Sequence, residues 1–371
     1  MPKKTPFVSI CTPTFNRRPF VPMMIKCFES QTYPKDKLEW IIIDDGTDKI
    51  EDLVSHIPQV KYFKYEEKMT LGKKRNLSNA KSSGEIIVYM DDDDYYPPDR
   101  VSHAVERLKK YPKALCAGSS AMFIYFKHLN KMLQFGPYGQ THATAATFAF
   151  RRELLKKTKF NEDAAVAEEK AFLKNYTIPF VQLDPLKSIL VFSHNHNSFD
   201  KKELLKNTGD PNIHETSVTP QDMISDTNIL TFFMEEIDGI LECYEPGRPE
   251  NKPDVIKELE TIRKRRETLI KEEMDKQNKY NETINLISMM SDPKILQQKV
   301  NEQSSIIQQL TIKNTQLEDK VNYLEKKLFQ CMNENIRYKN ENKKDKNDND
   351  VTTINVVNLT SSDPNISYST L

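Results

Sequence analysis

The chain has 371 residues, 37% of them hydrophobic, so one sizeable core with further segments attached is expected rather than a single globule throughout. Lysine plus arginine and aspartate plus glutamate both number 54, and a net charge of zero gives no general attraction to nucleic acid or to an anionic membrane. The five cysteines (Cys11, Cys27, Cys116, Cys243, Cys331) are odd in number, scattered and without Cys-x-x-Cys spacing. That pattern argues against a zinc site or a disulfide framework and fits a reducing, cytoplasmic compartment. No apolar run approaches the roughly 20 residues of a membrane helix. The start, Met1-Pro2-Lys3-Lys4, leads into a strand rather than a signal peptide. A soluble protein with no transmembrane segment is expected.

In chain order, Phe7 to Cys11 reads as a first strand and Pro22 to Gln31 as an amphipathic stretch. Leu38 to Ile43 is a second buried strand ending in Asp44-Asp45-Gly46-Thr47, and Val60 to Tyr65 is a third. A helix is expected from Leu71 to about Ser82, a fourth strand from Ile86 to Met90, and another helix from Arg100 to Lys110. Strand, helix, strand is the order of a parallel α/β sheet, in which ligands bind beyond the carboxyl ends of the strands. Phe15-Asn16-Arg17, Asp44-Asp45 and Asp91 to Asp94 fall at those ends.

The four consecutive aspartates are the focal point. The apolar run before them makes a buried strand, and Pro97-Pro98 soon afterwards force the chain out of it. Like charges this close repel unless a cation neutralises them, and carboxylate oxygens are the ligands that Mg²⁺ and Mn²⁺ prefer. A solvated acidic turn is the bland alternative. A calcium EF-hand is excluded, because the sixth position of a loop starting at Asp91 is Tyr96 where that loop needs glycine.

Five motifs stand in order: Pro13-Thr14-Phe15-Asn16-Arg17, Ile43-Asp44-Asp45-Gly46-Thr47, Leu71-Gly72-Lys73-Lys74-Arg75-Asn76, the run from Gly84 to Asp94, and Pro97-Pro98-Asp99-Arg100. Together they resemble the nucleotide-sugar-dependent glycosyltransferases of family 2, which have the GT-A fold. Phe150 to Leu155, Ala167 to Leu173 and Ser193 to Ser198 extend the resemblance to about residues 5 to 200. It implies an inverting, metal-dependent transfer of a sugar from a nucleotide-diphosphate donor to an acceptor hydroxyl on a glycan, protein or lipid. The family's processive synthases carry a Gln-x-x-Arg-Trp motif and membrane helices, which this sequence lacks. A pyrophosphorylase of related topology would need a glycine-rich loop after the first strand, where this chain has none.

The resemblance puts Pro13, Phe15, Asn16, Asp44, Asp45, Arg75, Asp91 and Asp92 on the donor. Phe15 is either a platform for the base or a core residue. Asp45 matches the acceptor of the uracil N3 proton, favouring a UDP or dTDP donor over a purine one, while Asp44 contacts the ribose or caps its turn. Arg75 lies near the donor phosphates or on an exposed helix face. The metal, Mn²⁺ or Mg²⁺, falls to Asp93 with Asp91. His194 and His196, if their segment is extended, project to one side and suit a metal or phosphate contact; otherwise they are a solvent-facing pair on a loop. Glu168 or Glu169 matches the base that takes the acceptor's proton. The second position is favoured, although the family's usual residue there is aspartate. The alternative from another class is an assembly scaffold whose GT-A domain binds nucleotide-sugar weakly or not at all.

Residues 201–253 are expected to form a helical extension, apolar around Ile229 to Tyr244, and a linker, with the domain boundary in the cluster Pro246 to Pro253. A helical region follows from 254 to 340, broken near Ser291-Asp292-Pro293. Its heptad a positions are Val300, Ile307, Asn314, Val321 and Leu328, and its d positions are Gln303, Leu310, Leu317, Leu324 and Cys331, which predicts a homodimer through a coiled coil. The tail from Glu341 to Leu371 is polar and is expected to be disordered.

Overall fold

Strands β1 (Val8–Thr14), β2 (Leu38–Asp44), β3 (Val60–Lys64) and β4 (Ile86–Tyr89) run parallel in the spatial order 3-2-1-4 in the computed structural model. The structure describes residues 5–166, 168–206, 209–289 and 293–341. Between these strands lie helices α1 (Val21–Glu29), α2 (Glu51–Val54) and α3 (Leu71–Lys81). Helix α4 (Arg100–Lys110) leads to β5 (Cys116–Gly118), and β6 (Met122–Phe126), β7 (Lys131–Phe135) and β8 (Ala149–Arg151) follow. Helix α5 (Glu169–Phe172), β9 (Phe180–Gln182), β10 (Leu190–Ser193) and β11 (Ile213–Glu215) complete the two sheets. The first sheet continues past β4 as β8-β5-β9, with β8 antiparallel to both β4 and β5. The second sheet has the order β10-β6-β7-β11. This is the mixed, mostly parallel sheet flanked by helices of the GT-A fold.

The strands read as near-continuous apolar runs because both faces of the sheet are covered. Alternate residues go to opposite sides. Ile42, Ile86 and Val88 join the larger core with Phe28 and Trp40, whose rings stack at 4.5 Å. Ile41, Ile43, Ile87 and Tyr89 join the smaller one with Phe148, Phe150, Phe160 and Phe172. The first strand continues past its expected end at Cys11 as far as Thr14. There β1 has lost β4 as a neighbour and pairs only with β2, the kind of one-sided position where a proline such as Pro13 fits a strand.

The compact unit extends from Met1 to Lys271, beyond the proline and glycine cluster expected to end it. Helices α6 (Pro220–Met223), α7 (Thr227–Thr231) and α8 (Ile237–Glu242) pack onto the sheets, the last two joined by a π turn over Phe232–Glu236. Phe232, Phe233, Ile237 and Leu241 are buried in the larger core, with Phe233 stacked on Phe192 at 4.4 Å. Helix α9 (Pro253–Met289) begins in this unit, and its first turns bond to the domain through Asp254 and Glu258. The second unit, Glu272–Leu371, contains helix α10 (Pro293–Glu341). Its apolar heptad residues, from Val300 to Leu328, are 47% to 64% exposed. Ser291 and Asp292, where a break was expected, lie outside the described residues, as do Ala167 and the tail beyond Glu341.

Phe160 and Phe172 stack at 4.1 Å with their planes 6° apart, and neither is exposed. Phe172→Ala should cost about 3 to 5 kcal/mol, as large aromatic deletions in cores do. Urea unfolding measures it, and a loss below about 1 kcal/mol would mean that the ring pair does not hold this segment.

Candidate active site

Strand β4 delivers the four aspartates to a partly enclosed place, with Asp92 buried and Asp91, Asp93 and Asp94 half-buried, instead of onto a fully solvated turn. Tyr95 exchanges backbone hydrogen bonds of 3.0 and 2.9 Å with Leu190 of β10, which ties the acidic turn to the second sheet. His194, just past β10, consequently lies with Nε2 3.5 Å from Asp93 Oδ2. Arg17, from the loop after β1, places Nη2 3.3 Å from Asp93 Oδ2 and Nε 3.7 Å from Asp92 Oδ1. From α3, Arg75 donates Nη1 and Nη2 to the two oxygens of Asp91 at 3.3 and 3.4 Å.

Two guanidiniums do not neutralise four carboxylates, and the acids divide accordingly. Burial pushes the Asp91 carboxyl up, against the pull of Arg75. Burial and the neighbouring charge of Asp93 push Asp92 up to about 7 and hold Asp94 well above the carboxylate range. Oδ1 of Asp94 has no hydrogen-bond partner among the described residues. Burial works against ionisation of Asp93 as well, yet Arg17 and His194 hold its carboxyl well below the usual range. Burial lowers His194 to about 4, so at neutral pH its imidazole is neutral.

Arg75 links this cluster to the segment before α5. Its Nε donates to Glu168 Oε1 at 2.6 Å, and the guanidinium lies 4.6 Å from the Tyr89 ring centroid. Segment 160–166 has little regular structure and is held by α3. Asn76 Nδ2 donates to the Phe160 carbonyl and Asn76 Oδ1 accepts the Phe160 N–H, both at 3.0 Å. The Gly72 N–H donates to the Ala164 carbonyl at 2.9 Å, and a Cβ at Gly72 would stand 1.9 Å from the Asn161 oxygen, so only glycine allows this approach. Glu168 is thereby buried in an ion pair. The neighbouring Glu169 is only partly buried, and burial together with the charge of Glu168 raises its carboxyl to about 7.

Between these elements lies a cavity of about 160 Å³, lined among others by Pro13, Phe15, Arg17, Lys68, Lys74, Asp91, Asp92 and Asp93. Lys68 and Lys74 stand 5.1 and 5.7 Å from the centre of the Phe15 ring. Other expected donor residues are placed elsewhere. Asn16 adopts a left-handed backbone (φ 52°), its Oδ1 accepts the Asp48 N–H, and its Nδ2 donates to the Pro246 carbonyl, so it builds loops. Asp44 caps its turn by accepting from Gly46 N, Ile50 N and Tyr62 Oη. Asp45 is sealed under the cavity, ion-paired to Lys74 at 2.8 Å and accepting Met69 N at 2.6 Å. Arg75 is 2% exposed, so it is neither on an open helix face nor in the cavity wall.

His194 and His196 do not project side by side from an extended segment. They sit in a turn closed by a 3.1 Å bond from Asn197 N to the His194 carbonyl, and His196 Nε2 lies 2.8 Å from the Tyr244 carbonyl. Arg17 and Lys74 belong to quoted motifs and could have been found by asking which cations offset the aspartates. Among the described residues no set of three or more His, Cys, Asp or Glu is gathered into a ready metal cage. The arrangement fits the looser mode in which Mg²⁺ or Mn²⁺ is held by one or two carboxylates plus substrate phosphates. Asp93 and Asp91 are the cavity-lining candidates.

Residues 9–168, from β1 to the ion-paired Glu168, match the sequence model of Glycosyl transferase family 2. This segment is a family 2 glycosyltransferase domain. Among curated relatives, a poly(ribitol-phosphate) β-N-acetylglucosaminyltransferase, TarS, of Staphylococcus aureus is 26% identical over 109 residues, 26% of this chain and 18% of the relative. A putative colanic acid biosynthesis glycosyl transferase, WcaA, of Escherichia coli is 31% identical over 105 residues, covering 27% and 37%. A solved mannosyltransferase of Pyrobaculum calidifontis, in complex with GDP-Man and Mn²⁺, matches with a TM-score of 0.43 at 16% identity, over 62% of this chain and 71% of that one. The chain thus spans well under half the length of these curated relatives.

Because the folded Glu169 carboxyl titrates near 7 and the ordinary value is 4.5, the native state binds the extra proton between those values. Ionisation of Glu169 therefore weakens the fold as pH rises toward and past 7. Glu169→Gln should be more stable than the parent protein at pH 8, by up to about 3 kcal/mol, with the gap closing by pH 4.5. Thermal unfolding at several pH values measures this, and a pH-independent difference would contradict the raised carboxyl.

Proposed function

We propose that this chain is an inverting, metal-dependent glycosyltransferase that uses a nucleotide-diphosphate sugar. The observation that carries the reading is the Arg75 bridge. One buried guanidinium binds Asp91 of the acidic cluster and Glu168, the neighbour in sequence of Glu169, whose carboxyl is raised to about 7. The diphosphate occupies the cavity walled by Phe15, Lys74 and the aspartates, with Asp93 and Asp91 as the residues that would hold Mg²⁺ or Mn²⁺. When bound, the ion offsets negative charge on the departing diphosphate. His194 steadies Asp93 as a neutral imidazole beside a ligating carboxylate.

Glu169 accepts the acceptor hydroxyl's proton as that oxygen bonds to the anomeric carbon and the bond to the diphosphate breaks on the opposite side, which inverts the configuration. A carboxylate titrating near 7 is a stronger base than an ordinary glutamate and is half ionised at neutral pH. Glu168 positions the segment through Arg75. A uridine donor follows from the match of Asp45, although that side chain must exchange Lys74 or Met69 to reach a base. The free cysteines Cys11, Cys27 and Cys116 are buried, consistent with a reducing cytoplasm, and among the described residues no helix is long and apolar enough to cross a membrane.

We also propose that α10 pairs with its copy in a parallel coiled coil. The exposed apolar stripe, Asn314 at an a position, and the complementary g to e′ pairs Lys313 with Glu318 and Lys320 with Glu325 support that state. The full chain should sediment as a dimer at micromolar concentration, and residues 1–271 as a folded monomer. A full-chain monomer would remove the coiled coil from the account.

A panel of UDP-, GDP- and dTDP-sugars with Mn²⁺ should reveal one that the protein hydrolyses slowly without acceptor. With that donor, Glu169→Gln should keep nucleotide affinity and lose about 10² to 10⁴ in transfer rate, and kcat/KM of the parent protein should climb as pH passes about 7. Unchanged turnover in Glu169→Gln would take the base away from this residue.

A further inference from the structure

One wall of the cavity comes from far outside the family-matched segment. After α8 the chain crosses back over the loop following β1. Asn16 Nδ2 donates to the Pro246 carbonyl at 2.9 Å, and Arg17 Nη1 donates to the Gly247 carbonyl at 3.2 Å. Gly247 passes so close that a Cβ there would meet the Asn16 oxygen at 2.8 Å and His196 Cδ2 at 3.0 Å. Beyond it Asp254 pairs with Lys68, and Glu258 Oε2 accepts the N–H groups of Ala165 and Val166 at 2.5 and 3.1 Å. This strap therefore grips both the loop after β1 and the segment that carries Glu168 and Glu169.

Lys252 lies between those two grips and lines the cavity with Arg17, Lys68, Lys74 and the aspartates, only 5% exposed. The cavity's other cations each have a carboxylate partner: Arg17 has Asp93, Lys68 has Asp254 and Lys74 has Asp45. Among the described residues Lys252 has none within 4 Å, and its Nζ hydrogen bonds to the neutral Ser198 hydroxyl at 2.8 Å. Burial pushes its ammonium well below the ordinary lysine range, and the Arg17 charge adds to the push. An unpaired buried ammonium is costly to hold. It becomes favourable when an anion arrives, because a desolvated charge pair with hydrogen bonding is strong. The cavity's 160 Å³ suits a diphosphate better than a whole nucleotide sugar, since complete small-molecule sites run from about 300 Å³ upward.

We propose that Lys252 is a diphosphate-binding residue of the donor site, supplied by the strap. The proposal rests on the nucleotide-sugar reading above and adds a residue to it from beyond residue 168. The strap is thus part of the site, so a chain cut before it would lose donor binding even with all the matched motifs intact.

Calorimetric titration of the full chain with UDP, GDP, uridine and guanosine, each with Mn²⁺, tests this. The parent protein should bind one nucleoside diphosphate more tightly than its nucleoside. Lys252→Met should weaken the diphosphate by about 10-fold or more while leaving the nucleoside unchanged and the Tm no lower. Lys252→Arg should recover most of the loss. If the Met variant does not fold, Lys252→Gln, which keeps a donor for Ser198, should show the same split. Diphosphate affinity equal to that of the parent, or an equal loss of diphosphate and nucleoside, would overturn the role of Lys252 while leaving the nucleotide-sugar reading standing. A parent protein that binds neither diphosphate would overturn both.

Discussion

Charge compensation in a buried place governs this molecule. A parallel strand covered on both faces ends in four carboxylates, and each needs a counter-charge, a proton or a ligand, because an isolated buried carboxylate is prohibitively costly. Two of these answers stand within one turn: Arg75 and Arg17 are counter-charges for Asp91 and Asp93, and the Asp94 carboxyl is held well above the carboxylate range. The elements carrying those partners are held where they are by the need to reach the acids. That need explains why the loop after β1, the face of α3 and the end of β10 all converge on one point.

The same demand carries the candidate base. Arg75 keeps its charge although burial opposes it, because Asp91 and Glu168 hold it, and burial together with the charge of Glu168 pushes the neighbouring Glu169 toward neutrality. Glu168, itself tied to Arg75, thus adds to the raised carboxyl of the candidate base.

The strands and helices of the first 110 residues were legible because their signals are local: apolar runs of strand length, helical periodicity, and turns marked by Asp-Gly or Pro-Pro. The acidic cluster was legible for the same reason. What could not be read was which partner each polar residue takes. Asn16 and Asp44 look like ligand contacts in a motif, yet the backbone around them uses up their oxygens. His194 and His196 look paired until a turn replaces the extended segment. Lys252 had no local mark at all, since it sits in a stretch whose prolines and glycine resemble an exposed linker. The path that brings it to the cavity depends on Phe232, Phe233 and Leu241 finding the core.

The hold of α3 on residues 160–166 and on Glu168 bears on how such a domain drifts over generations. A helix face that offers Gly72 for close approach, the two ends of the Asn76 amide and the Arg75 fork serves as a mould for a stretch with few backbone bonds of its own. Insertions or deletions in that stretch are then tolerated only where the mould is still filled. Positions 72, 75 and 76 should therefore vary in step with 160, 161 and 168 across descendants.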